Sequence, residues 1–75
     1  MADNKVSQSI EAPGGQRCID IFQRPDGRWG ASEFRRDPED ARGWYPTHAC
    51  PDTAFDSAEE ALAAARLACP WIADL

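Results

Sequence analysis

Five residues, RPDGR at positions 24–28, separate two runs of strand-forming side chains in RCIDIFQRPDGRWGASEFRR. Pro25 presets the first dihedral of a turn, and Gly27 accepts the positive φ that closing the loop then requires. A three-residue loop with Gly27 left-handed sets Arg24 opposite Arg28, Phe22 opposite Gly30, Asp20 opposite Ser32 and Cys18 opposite Phe34. One face of the hairpin then carries Cys18, Phe22 and Phe34, and the other carries Ile19, Ile21, Trp29 and Ala31. A slip of one residue would exchange the faces of one strand, so the turn decides what this hairpin can pack against. Both faces are partly apolar.

The partner for one face lies near the C-terminus, in FDSAEEALAAARLACPW at positions 55–71. Ser57 followed three residues later by Glu60 is a capping box, and Asp56, Glu59 and Glu60 put negative charge where the helix dipole favours it. Ala58, Ala61, Leu62, Ala65 and Cys69 recur at helical spacing as a narrow stripe of mostly small side chains. Such a stripe lets a helix lie close to a sheet. Pro70 ends it by pushing residue 69 out of helical geometry, and Trp71 and Ile72 are expected to fold back as a lid. The helix is therefore expected to cover Ile19, Ile21, Trp29 and Ala31.

Around these two elements the sequence is polar. Residues 1–16 lack periodicity and end in APGG, the composition of a flexible N-terminal tail, which leaves residues 17–75 as a single domain. DPEDARG reads as an acidic connector, and WYPTHAC as a short third strand in which Pro46 points to an edge or a bulge. The expected fold is α+β: a small two- or three-stranded antiparallel sheet packed on one C-terminal helix.

This order of features, a hairpin through GRWGA, an irregular segment and then FDSAEEALAAARLA, resembles the N-terminal domain of HicB-type antitoxins and similar small bacterial proteins. The resemblance covers residues 18–72. In that family the domain binds a toxin partner, so the resemblance implies partner binding without catalysis, and it carries no particular residue across. Within these 75 residues the chain departs from the family in its long acidic connector and in the lack of an attached DNA-binding domain.

At 75 residues the fraction of surface buried on folding is low, and a catalytic cleft with its own supporting shell is hard to build. No enzyme activity and no cofactor are expected. The formal net charge of -5 disfavours nucleic acid and anionic membranes as general partners. No apolar run reaches membrane-spanning length, and MADNKVSQSIEAPGGQR lacks a signal-peptide core, so a cytoplasmic, bacterial setting with reduced cysteines is expected. Three cysteines cannot all pair within one chain.

Three kinds of site remain. Phe22, Arg24, Arg28, Phe34 and Arg36 put arginines and aromatics on one proposed hairpin face. These residue types concentrate binding energy in protein interfaces and also form platforms for single-stranded nucleic acid. The plainer reading pairs the arginines with Asp20, Asp37, Glu39 or Asp40. Cys18, His48, Cys50 and Cys69 complete a Cys3His set chemically suited to zinc, but without the paired CxxC spacing of recognisable sites. Cys50 with His48 is the nucleophile version of the same residues, although no third orienting group is identifiable. The acidic residues around Asp52, Asp56, Glu59 and Glu60 read as helix-capping groups. Trp29 reads as core, and Trp44 as core or as a stacking surface. Together these features point to a non-catalytic interaction module that binds a protein partner or a second copy of itself through the hairpin face opposite the helix. The alternatives are a nucleic-acid-binding accessory protein and a zinc-stabilised domain.

Overall fold

A computed structural model describes residues 4–37, 39, 43–50 and 53–74. Its hairpin joins strands β2 (Arg17–Gln23) and β3 (Trp29–Arg35) through the RPDGR turn. The Arg24 amide donates to the Arg28 carbonyl at 2.6 Å and the Gly27 amide to the Arg24 carbonyl at 2.9 Å. Gly27 sits at φ 88°, the left-handed region that a side chain would strain. The register is Cys18 opposite Phe34, Asp20 opposite Ser32 and Phe22 opposite Gly30, as the turn predicts.

Two further strands widen the sheet to four, in the order β1-β2-β3-β4, one more than the two or three expected. Strand β1 (Lys5–Glu11) pairs antiparallel with β2, so these residues belong to the sheet and not to a tail. APGG is then the turn of a second hairpin. Gly14 and Gly15 have φ of 93° and 69°, the Ala12 amide donates to Arg17 at 2.9 Å, and that of Gly15 donates to Ala12 at 3.0 Å. The strand is polar because it is an edge: of its seven side chains only Ile10 is even half-buried. A bulge between Val6 and Gln8 interrupts its pairing, a device that blunts exposed edges.

Strand β4 (Tyr45–Pro46) is the short strand expected in WYPTHAC, and it pairs with Phe34 and Arg35 at the opposite edge. Pro46 is tolerated there because no further strand needs its missing donor. Beyond β4 the Thr47 amide still donates to the Glu33 carbonyl at 3.0 Å. Farther along the same edge, Phe55 exchanges two backbone hydrogen bonds with Trp29, at 2.8 and 2.7 Å.

That bridge delivers the chain to helix α1 (Ala58–Ala68). The Ser57 side chain accepts from the Glu60 amide at 3.1 Å, and the Glu60 carboxylate accepts from the Asp56 amide at 3.1 Å. Cys69 caps the far end at φ -128°, its amide bonded to Ala65 at 2.8 Å, and a 3-10 turn over Pro70–Asp74 follows. Ile19, Ile21 and Ala31 from the sheet meet Ala61 and Ala65 from the helix, Cys69 from its C-cap and Ile72 from the turn, all buried. Trp29 and Trp71 pack against this cluster. Trp71 and Ile72 do fold back, onto the same face that the helix covers. Among the described residues no helix is long and apolar enough to cross a membrane.

Candidate functional site

Helix α1 and the 3-10 turn both lie on the Ile19–Ile21 side, so alternation along the strands assigns the other side chains to an open face. Phe22 and Phe34 stand there, as the register requires, with Val6, Ser9 and Glu11 of β1 alongside. Two shallow grooves cross it and share Asp20 and Phe34. One, of about 190 Å³, is lined by Asn4, Val6, Asp20, Phe22, Ser32 and Phe34. The other, of about 330 Å³, is lined by Ser9, Glu11, Cys18, Asp20, Phe34 and Trp44.

The five residues expected to bind a partner are distributed unevenly over this face. The Phe22 ring lies over Gly30, where an added Cβ would sit 2.7 Å from Cζ, and it is only 9% exposed. An aromatic laid across a cross-strand glycine fills the surface the glycine lacks. The Arg24 guanidinium carbon is 5.5 Å from the centre of the same ring. Phe34 is half-buried and walls both grooves. Arg36 donates from Nη2 to the Gly15 carbonyl at 2.9 Å and stacks on Trp44 at 4.7 Å, which fixes that ring at the groove margin. Arg28 is exposed in the turn, where its backbone amide donates to Asp26 at 2.9 Å.

Asp20, the first proposed arginine partner, instead accepts at Oδ1 from the Ser9 hydroxyl at 2.7 Å and the Cys18 thiol at 3.5 Å. The carboxylate of Asp37 accepts from the Glu39 amide at 3.0 Å. Asp40 and Asp52 lie outside the described residues.

The four residues of the zinc reading are not brought together. Cys18 faces the open side, whereas Cys69 is buried in the core beneath the helix and Cys50 packs against that core. The period-two alternation of β2 puts the sheet between them. His48 is exposed, at φ 61°, and lines an edge cavity of about 380 Å³ with Cys50. Among the described residues no three His, Cys, Asp or Glu side chains cluster in a way that could hold a metal ion.

What Cys50 and Cys69 do share is Glu33, a residue without an obvious signal in the sequence. Its carboxylate accepts from the Thr47 hydroxyl at 2.6 Å and from the Trp71 indole at 2.7 Å. Burial pushes the Glu33 carboxyl up, but hydrogen bonds from Thr47, Trp71 and Cys69, with the Arg17 charge, outweigh it and hold the group below its ordinary value. Burial and the hydrogen bond to Glu33 push the Cys69 thiol up, and burial does the same for Cys50. Burial, with the charges of Asp20 and Glu11, raises Cys18 to about 11. All three thiols are thus held away from the thiolate, the form a cysteine nucleophile needs.

No protein-family model matches the chain, and neither a curated protein nor a solved structure matches it. Nothing in these comparisons bears on the resemblance to HicB-type domains.

Proposed function

We propose that this chain is a non-catalytic binding module whose protein partner seats on the sheet face opposite the helix. The observation that carries the reading is one-sided cover: helix and 3-10 turn pack on Ile19 and Ile21, while the other face keeps two grooves between aromatic side chains. Val6 is 56% exposed and Trp44 38% exposed, with Phe34 half-buried between the grooves. Exposed apolar surface with a polar rim is typical of association sites, and arginine and aromatic residues are enriched there. The raised thiols count against a cysteine nucleophile. A cytoplasmic, bacterial setting and the partner binding implied by the HicB-like order of elements fit the same reading.

Phe34→Asp is the test, because Phe34 is not part of the buried core; Phe22, tucked over Gly30, is too buried to separate binding from folding. Affinity capture from the native host is compared for wild type and variant, alongside thermal melting and sedimentation. The expected result is a variant that melts within a few degrees of wild type and loses a specific captured protein. Capture of the same proteins by both forms overturns the reading.

A further inference from the structure

We propose that the larger groove on the open face takes a cationic side chain, lysine or arginine, from a basic segment of the partner protein. This rests on the open face being the interface and adds the chemistry of what enters it. The groove is lined by two carboxylates and two aromatic rings. Glu11 lies directly across from Cys18, and Asp20 is two residues along β2 from that cysteine, so the two carboxylates are diagonal neighbours on one face. Their charges both raise the Cys18 thiol, which places their fields on the same spot.

Ser9 and Cys18 both donate to Oδ1 of Asp20, which orients the carboxylate and leaves Oδ2 without a hydrogen bond from the described residues. Phe34 and Trp44 line the groove with them. Trp44 already stacks with one guanidinium, that of Arg36, and still exposes 38% of its surface. A cation over an aromatic ring gains from the ring quadrupole, and a carboxylate within reach adds a charge-assisted hydrogen bond. A volume of about 330 Å³ suits one long side chain and not a folded element. The long-range field agrees: 13 acidic against 8 basic residues steer a basic partner inward and repel an acidic one, nucleic acid included.

The probe is the capped tripeptide acetyl-Gly-Arg-Gly-amide, titrated into the isotopically labelled full chain, with the neutral citrulline peptide as its isosteric counterpart. Saturable amide and indole shifts are expected at Ser9, Cys18, Asp20, Phe34 and Trp44 with the arginine peptide, weakening as salt is added. Asp20→Asn and Glu11→Gln should each reduce affinity roughly two- to fivefold, the range of a partly exposed ion pair. Thermal melting identifies any variant that does not fold, and Glu11, exposed on the edge strand, serves if Asp20→Asn fails. Equal binding of the citrulline peptide, no saturable shift in this groove, or unchanged affinity in a folded Glu11→Gln variant overturns the proposal. Capture from the native host separates it from the broader reading. If Phe34→Asp abolishes capture while Asp20→Asn and Glu11→Gln retain it fully, the face binds but not through a cation. If none of the three affects capture, the face itself is wrong. Retention of a nucleic acid in place of a protein, or a dimer that forms without a partner, also overturns it.

Discussion

Glu33 shows how one side chain ties together parts of the chain that are distant in sequence. Its carboxylate is bonded by Thr47 from the segment after β4 and by Trp71 from the 3-10 turn, thirty-eight residues away. Its depressed ionisation has a direct consequence for stability. A carboxyl held below its unfolded value contributes stability that is present above that value and disappears as pH falls through the folded value. Glu33→Gln should therefore cost about 1 kcal/mol at neutral pH, roughly 4–8 °C in melting temperature. The gap between variant and wild type should close as pH drops below the ordinary carboxyl value of 4.5. Melting curves from pH 7 to pH 3 check this, and a gap that persists undiminished at pH 3 contradicts it. The thiols act at the other end of the scale. All three are raised above the ordinary value of 9.0, Cys18 to about 11. The unfolded chain then loses thiol protons first, so stability is intact below pH 9 and declines as pH rises beyond it. Cys18→Ala should flatten that decline between pH 9 and 11, and a melting profile identical to wild type over this window would show that Cys18 takes no part.

At the scale of elements, α1 is held by its first turn. Ser57→Ala removes the acceptor for the Glu60 amide and should cost on the order of 1 kcal/mol, a fall of roughly 4–8 °C in melting temperature. An unchanged melting temperature would mean that the cap carries no weight. This element was legible in the sequence because its signals are local: a cap, a stripe of small residues and a proline stop. The β2–β3 hairpin was legible for the same reason, down to its register, since proline and glycine at fixed positions in one turn decide every cross-strand pair. Strand β1 was not. It buries no complete apolar face, so it lacks the alternation that marks half-buried strands, and its APGG turn shares its composition with a tail. The site suffered with it. Phe22 and Phe34 lie on the face the turn predicts, with Arg24 over the Phe22 ring and Arg36 over Trp44, but Ser9, Glu11 and Val6 come from a strand whose composition is that of a tail. Glu33 and the separation of Cys18 from Cys50 and Cys69 depend on long-range packing that no local pattern encodes.

The whole molecule is a thin slab, 37 × 31 × 17 Å, with room for one sheet and one helical layer. Its core draws on few side chains, and among the described residues only Ile19 and Ile21 are large and fully enclosed. Such a domain cannot lose an element cheaply, which makes β1 the sharpest global test of the architecture. A tail could be removed without consequence. A strand cannot, because its removal strips the backbone hydrogen bonds from the outer edge of β2 and takes away Ile10, the cross-strand neighbour of Ile19, and Val6, the neighbour of Phe22. The bared edge would also present RCIDIFQ, an apolar strand without the bulge that now protects the sheet margin, and such edges pair with one another. A chain lacking residues 1–11 should therefore melt more than 4–8 °C below the full chain, the equivalent of about 1 kcal/mol in a domain of this size. It should also self-associate in sedimentation at concentrations where the full chain does not. Replacing Ile21 by lysine in the shortened chain would not rescue it, because Ile21 points into the core; Arg17→Pro, at the start of β2, should reduce the association by blocking the edge without adding a charge to the interior. A shortened chain that melts with the full one and sediments identically would return residues 5–11 to the status of a tail and remove Ser9 and Glu11 from the proposed cation groove.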